Sequence, residues 1–302
     1  MPTPNRLLET VSPGESSRRR FTVKFRGGEL RFDGRTLVMG VVNVTPDSFS
    51  DGGRFLAPAD ALSQARRLAE EGADVIDVGG ESTRPGAQPV SAAEECARIV
   101  PVVERLAAEL QVPISIDTTK SEVAEAALRA GAKLVNVVGA LAIDPGVADV
   151  AARREAGLVL MHMKGRPGRM YDEAHYPGGV MAEVIDGLAG AMALAEARGV
   201  DRERIILDPG LGFGKRTAHT LEALRHLGEL QTLGRPILVG PSRKSFIGEV
   251  AGLAVEERLP GTAAACAIAA LLGAGMVRVH EVAPILAGLR IAEAVRDAGG
   301  EI

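Results

Sequence analysis

The sequence predicts an α/β fold, a closed (β/α)8 TIM barrel with an N-terminal β-hairpin, on three observations. Eight short β-rich apolar runs succeed one another, each leads into a Gly- or Asp-containing loop, and segments of helical periodicity lie between them. Neighbouring parallel strands need a crossover of a dozen or more residues, so this alternation calls for a parallel sheet. Eight such units in about 265 residues match a closed barrel. An open doubly wound sheet is the alternative; its dinucleotide-binding form carries a G-x-G-x-x-G turn after the first strand, which this chain lacks there.

The elements justify themselves in order. Residues 1–20 include Arg18, Arg19 and Arg20 but have neither the apolar stretch nor the small-residue cleavage site of a secretory signal, so they read as a solvated, disordered tail. Residues 21–302 read as a single domain. Phe21–Asp33 alternates apolar and polar residues around Gly27 and Gly28, a hairpin signal. The eight apolar runs are Leu37–Val42, Asp74–Val78, Val112–Ile116, Lys133–Val138, Leu158–Met161, Arg204–Leu207, Pro236–Val239 and Met276–Val279. Ala61, Leu62, Ala65, Leu68 and Ala69 share one helical face, and Val184, Ile185, Leu188, Ala191, Met192 and Ala195 another. Ser91 with Glu94, and Thr119 with Glu122, have the spacing of capping boxes and mark two helix starts.

Composition narrows the function. With 302 residues, 46% hydrophobic and 25% charged, the chain is globular, which excludes long disorder and a collagen-like repeat. The longest apolar stretch, Ala263 to Val277, is broken by glycines and is shorter than the roughly 20 residues that span a bilayer, so no membrane partner is expected. A net charge of −4 and nine aromatic side chains, seven Phe and two Tyr, supply neither the basic stripe nor the stacking platform of a nucleic-acid binder. Cys96 and Cys266 have no Cys or His neighbour at metal-ligand spacing and read as core thiols in a reducing cytoplasm. The ligand should be small and polar.

Barrel active sites lie at the C-terminal strand ends. Those ends carry Asn43, then Gly79 to Arg84, then Asp117, Asn136, His162, Asp208, Ser242 to Lys244, and Arg278 with His280. Each has an ordinary structural explanation taken alone. Asp117 suits a helix cap, Asn136 a satisfied core amide, His162 a packed core histidine, Lys244 a solvated lysine, and Arg278 with His280 a surface pair. At eight strand ends together they converge on one mouth. Cations and glycine-rich turns running into helix N-termini suit a phosphate, and the acceptor-only Asp117 and Asp208 suit a ligand rich in N–H donors. The pattern points to a donor-rich heterocycle bearing a phosphate or diphosphate.

Met39–Phe55, Asp77–Ala87, Ile114–Lys120, Ile206–Lys215, Val239–Gly248 and Val277–Val282 together resemble, in order, the signatures of the dihydropteroate synthase family. The resemblance implies condensation of 6-hydroxymethyl-7,8-dihydropterin diphosphate with 4-aminobenzoate, releasing pyrophosphate and giving 7,8-dihydropteroate, in a cytoplasmic homodimer. It further implies that Asn43 ligates a Mg2+ on the diphosphate, with Arg278 and His280 holding the diphosphate oxygens. Asp208 would take two hydrogen bonds from the pterin, Asp117 and Asn136 would complete the ring contacts, and Lys244 would reach the ring while Arg278 stacks on it. Thr83, Pro85, Phe213 and Ser242 would wall the aminobenzoate site, with Ser245 receiving its carboxylate. Asp51 and Arg84 would lie in two loops that close over the diphosphate, and Asp51, Arg84 and Lys244 would form the catalytic set.

Two positions depart from the family pattern. Val137 stands where an Asp usually follows the strand-4 Asn, removing a polar group expected near the pterin floor, and Leu211 stands where Phe is frequent. Val137 motivates a second reading, a non-catalytic pterin-binding paralogue. A corrinoid-dependent methyltetrahydrofolate methyltransferase is a third, opposed by the intact Ser242–Ser245 motif and the Asn43 segment. A Schiff-base aldolase using Lys244 is the outsider.

Overall fold

The computed structural model describes residues 20–44, 58–82, 88–165, 170–172 and 174–298. The expected tail, apart from Arg20, therefore lies outside the described residues. A hairpin comes first, β1 (Phe21–Phe25) paired antiparallel with β2 (Gly28–Phe32), and its turn uses Gly27 at φ 84°. The barrel strands follow as β3 (Leu37–Asn43), β4 (Val75–Gly79), β5 (Ile114–Asp117), β6 (Leu134–Val138), β7 (Gly157–Met161), β8 (Ile205–Asp208), β9 (Leu238–Val239) and β10 (Met276–Val279). All eight pair in parallel in the order β8-β7-β6-β5-β4-β3-β10-β9, and a parallel bridge between Leu207 and Ile237 joins the two ends. β9 is shorter than the apolar run suggests because Pro236 has no N–H to donate; its carbonyl accepts from Leu207 N at 2.9 Å instead.

The strands feed helices α1 (Pro58–Glu70), α2 (Ala92–Glu109), α3 (Ser121–Ala130), α4 (Gly146–Arg154), α5 (Val180–Ala197), α6 (Thr217–Arg225), α7 (Ser245–Ala251), α8 (Leu259–Leu271) and α9 (Ala283–Asp297). The two apolar faces read from the sequence lie on α1 and α5 and pack onto the sheet's outer side. Ser91 caps α2, its Oγ accepting from Glu94 N at 3.2 Å. Thr119 does not cap α3. That helix starts at Ser121, whose N–H donates to Asp144 Oδ2 at 2.7 Å, so a carboxylate from the β6–α4 loop satisfies the helix N-terminus that a capping box would have served. Cys266 is buried, whereas Cys96 is only half-buried, because it sits at the edge of the α2 stripe.

Strand alternation sorts the barrel interior into an apolar floor and a polar mouth. The inward positions near the strand starts are Leu37, Met39, Val75, Leu134, Val159, Ile206, Leu238 and Met276, and they form one cluster with Val23, Phe25, Leu30 and Phe32 of the hairpin. The hairpin thus plugs the N-terminal end. Two residues further along β4, β6, β8 and β10, the same inward row reads Asp77, Asn136, Asp208 and Arg278.

Candidate active site

The inward row places four strand ends side by side by register alone. Asn43 is opposite Gly79, Gly79 opposite Asp117, and Asp117 opposite Asn136, while Met161 is opposite Asp208. Arg278 organises this row. Its Nε donates to Asp77 Oδ2 at 2.6 Å and its Nη2 to Asp117 Oδ2 at 2.7 Å, and Asn136 Nδ2 donates to the same Asp77 oxygen at 3.0 Å. Burial works against the Arg278 charge, but Asp77 and Asp117 outweigh it and raise its pKa. Asp77 is fully buried, and it is a site residue that the strand-end reading missed. The parity that makes Val75 and Gly79 inward would have found it.

The acceptors of the cup have unused capacity. Asp77 Oδ1 and Asn136 Oδ1 are buried with no partner among the described residues, a condition that costs about 1–3 kcal/mol per group and that a ligand N–H relieves. Asp208, 4% exposed, accepts from Gly210 N at 2.7 Å through Oδ1. Burial pushes the Asp208 carboxyl up against the pull of that N–H, Lys244, Arg278 and Lys215; burial also pushes Asp117 up against Arg278.

The opposite wall is cationic and hydroxylic. Arg243 adopts the left-handed region at φ 56°, and this tight turn lets both of its neighbours face the mouth. Ser242 Oγ lies 2.9 Å from His280 Nδ1, tying the end of β9 to the end of β10. Lys244 Nζ donates to Leu211 O at 2.7 Å and stands 3.8 Å over the Phe213 ring. Burial pulls the Lys244 pKa down, partly offset by Asp208. Ser245 is the first residue of α7. Gly210 and Gly214, both at φ 65°, let the β8–α6 loop lie against β7 and its loop: a Cβ on Gly210 would sit 1.9 Å from His162 O, and one on Gly214 2.4 Å from Lys164 O.

Asn43, Asp117, Asn136, Asp208, Phe213, Ser242, Lys244, Ser245, Arg278 and His280 all fall on this one mouth. Asp51, Thr83, Arg84 and Pro85 lie outside the described residues. The expectation that Val137 removes a polar group from the pterin floor is corrected by the strand: Asn136 points inward, so Val137 points outward into the helix-packed core and is 1% exposed. Leu211 is likewise core, and its carbonyl is the partner of Lys244. Among the described residues no group of three or more His, Cys, Asp or Glu could hold a metal ion. A single amide oxygen, Asn43 Oδ1, is instead a donor suited to Mg2+ that keeps most of its waters and shares substrate phosphate oxygens.

Fold and site define a barrel enzyme whose mouth gathers buried carboxylates beside cations, a set suited to an N–H-rich, anionic small molecule. Residues 39–280 match the family described as pterin binding enzyme. A dihydropteroate synthase of Synechocystis is 45% identical over 271 residues, covering 89% of this chain and 93% of that protein. The Yersinia pestis dihydropteroate synthase, solved in a sulfonamide complex, superposes with a TM-score of 0.87 at 41% identity, covering 92% of this chain and 100% of the other. The Xanthomonas albilineans enzyme with 4-aminobenzoic acid superposes at 0.84 with 46% identity over 92% and 98%. The chain belongs to the dihydropteroate synthase family of pterin-binding barrels.

Proposed function

We propose that the protein condenses 6-hydroxymethyl-7,8-dihydropterin diphosphate with 4-aminobenzoate to form 7,8-dihydropteroate and pyrophosphate. The observation that carries this is the arrangement of buried acceptors, Asp77, Asn136 and Asp208, around a cation, Arg278, already bridged between two carboxylates. Acceptors with spare lone pairs read the amino-pyrimidinone edge of a pterin, and Asp208 retains capacity beyond its bond to Gly210. Arg278 has Nη1 uncommitted among the described residues, and with His280 it faces the diphosphate side. Phe213, beneath Lys244, walls the aminobenzoate, and Ser245 at the start of α7 meets its carboxylate. Asp51, Thr83, Arg84 and Pro85 retain the roles implied by the resemblance.

The aniline nitrogen is a weak nucleophile, so the rate must come from loosening the bond between the pterin methylene carbon and the diphosphate oxygen. The dihydropterin can donate electron density to that carbon, and fixed cations stabilise the charge that grows on the departing oxygen. Asn43 would hold the Mg2+, which supplies further neutralisation of the diphosphate. No protein nucleophile is needed, which fits a site whose groups bind and orient. Lys244, engaged by Leu211 O and the Phe213 ring, is placed to bind the ring rather than to attack a carbonyl.

With Val137 turned away from the mouth, the reading as a non-catalytic paralogue loses its motive, and the methyltransferase reading has no support among the relatives described. A homodimer is proposed on the apolar side chains that α8 and α9 expose: Ile268 and Leu271, with Ile291 and Val295. The two thiols are free, in keeping with a reducing cytoplasm. Sulfonamide sensitivity is proposed on the Yersinia pestis complex. The test of the whole reading is pyrophosphate release with both substrates and Mg2+ over multiple turnovers. Release that depends on 4-aminobenzoate is expected, and none would overturn it.

A further inference from the structure

Beneath the mouth lies a lysine that the reaction outlined above does not use. Lys215 lies near the end of the β8–α6 loop, is 1% exposed, and stands with Nζ 2.9 Å from His162 Nδ1, 3.1 Å from Gly210 O and 3.2 Å from Phe213 O. Two proton arrangements satisfy all three contacts. A charged ammonium donates to two carbonyls and to Nδ1 of a neutral ring protonated on Nε2; a neutral amine donates to the carbonyls and accepts from a ring protonated on Nδ1. The loop is held in either form, and one proton decides whether this buried pair is charged.

Gly210 links the pair to the pterin-reading carboxylate. Its N–H donates to Asp208 Oδ1 at 2.7 Å while its C=O accepts from Lys215. Of the three cations acting on Asp208, Arg278 from β10 is shared with Asp77 and Asp117, and Lys244 from the start of α7 also faces Asp117 and Arg278. Among the described residues, Lys215 has Asp208 as the one carboxylate acting on it. Around the pair itself stand Lys244, facing Lys215, and Lys164, facing His162. Burial pulls Lys215 down to about 7, and burial followed by the Lys215 charge takes His162 down to about 3, so between these values the lysine is charged beside a neutral ring.

We propose that Lys215, held by His162, is a positioning residue for pterin binding: it fixes the β8–α6 loop through Gly210 and Phe213 and supplies a charge that keeps Asp208 ionised as an acceptor. The proposal rests on the synthase reading and assigns a role to two side chains that do not touch the substrate in it. A purely structural lysine would tie down the loop without influencing how Asp208 titrates.

The experiment is calorimetry of a pterin lacking the diphosphate against the full chain, as a function of pH. In the wild type, affinity rises along an acid limb set by Asp208, and Asp208→Asn removes that limb. Lys215→Met is expected to move the limb to higher pH, and Lys215→Arg to bring it back even if affinity is lower throughout. His162→Leu should shift the limb in the same direction, because the buried ammonium loses an acceptor, and His162→Asn, which keeps one near Nδ1, should restore it. If Lys215→Met does not fold, as thermal unfolding would show, the two His162 variants carry the test. Equal loss of affinity at every pH with the limb unmoved overturns the role of Lys215. A wild type that binds no pterin at all overturns the synthase reading itself.

Discussion

The two ends of the barrel are built from the same strands and have opposite economies. At the floor, Val75, Leu134, Ile206 and Met276 face inward and meet the hairpin; two residues on, at the mouth, the same strands turn in Asp77, Asn136, Asp208 and Arg278. The floor lowers the free energy of the fold by removing apolar area from water, at about 25 cal/mol per Å2. The mouth raises it, because buried charge recovers its lost hydration only when every partner is in place. The difference teaches that stability and recognition are separated along each strand by a single pleat repeat, so substitutions two residues apart should fail in different ways.

The largest effect is expected where the mouth depends on one side chain. Arg278→Met leaves Asp77 and Asp117 buried together without their cation, and breaking such a pair costs about 3–5 kcal/mol. Chemical denaturation measures that loss. The same variant should lose affinity for a diphosphate ester of the pterin far more than for the bare ring, and equal losses would contradict the placement of Arg278 at the diphosphate. At the floor, Leu134→Ala should cost about 2–5 kcal/mol of stability, since it leaves a cavity beside Val23 and Gly157, while pterin affinity of the folded protein stays unchanged. A change in affinity there would mean that the two ends are not separable.

Within the mouth, Asp208→Asn keeps the shape and exchanges an acceptor-only group for an amide. Pterin affinity should fall by about 1.5–3 kcal/mol, the range for hydrogen bonds to a charged group, with stability little affected or improved. The pH dependence sharpens the contrast. Because Asp117 and Asp208 have raised pKa values in the fold, the native state holds protons that the unfolded chain has released, and stability of the ligand-free protein falls as pH rises above the ordinary carboxylate value of about 4. Lys215 acts in the other direction. Its lowered pKa means that the unfolded chain binds the extra proton between about 7 and 10.5, so its destabilisation is relieved as pH rises through that window. Denaturation at a series of pH values should therefore show, relative to the wild type, a shallower fall between about 4 and 6 when Asp208 is replaced and a shallower rise between about 7 and 10.5 when Lys215 is replaced. Floor variants should lower the whole curve without changing its shape.

How much of this was legible in the sequence follows from the same geometry. The eight strands and the convergence of their ends could be read because runs of β-branched residues end abruptly in Asn43, Asp117, His162 and Asp208. Asp77 was missed because it sits inside its run; only the parity of the neighbouring inward residues distinguishes it from a surface acid. Lys215 was missed because nothing local marks a lysine as buried. Its burial follows from three left-handed glycines, Gly210, Gly212 and Gly214, that fold the loop back over the end of β7. Val137 was misread because the departure from the family pattern was weighed without asking which way the strand turns it.

The smallest expected effect concerns the rim, where strands hand over to helices and so collect helix N-termini around the mouth, with the C-termini at the floor. Two capping boxes look alike in sequence and differ in the fold: Ser91 caps α2 through Glu94 N, whereas Thr119 caps nothing and Asp144 serves Ser121 from across the β6–α4 loop. Ser91→Ala should cost about 1 kcal/mol and Thr119→Ala close to nothing. Asp144→Ala should cost at least as much as Ser91→Ala, since its two oxygens accept from both Ser121 N and Gly146 N and hold the starts of α3 and α4 together. Burial raises the Asp144 pKa and the bonds from Ser121 and Gly146 more than reverse it, so its carboxyl lies below the ordinary range and its stabilisation persists at neutral pH, fading only as pH falls through that lowered value. Thermal unfolding of the three variants at neutral and acid pH measures this. A Thr119→Ala cost equal to that of Ser91→Ala would show that the local capping box, and not the carboxylate from the neighbouring β6–α4 loop, sets the start of α3.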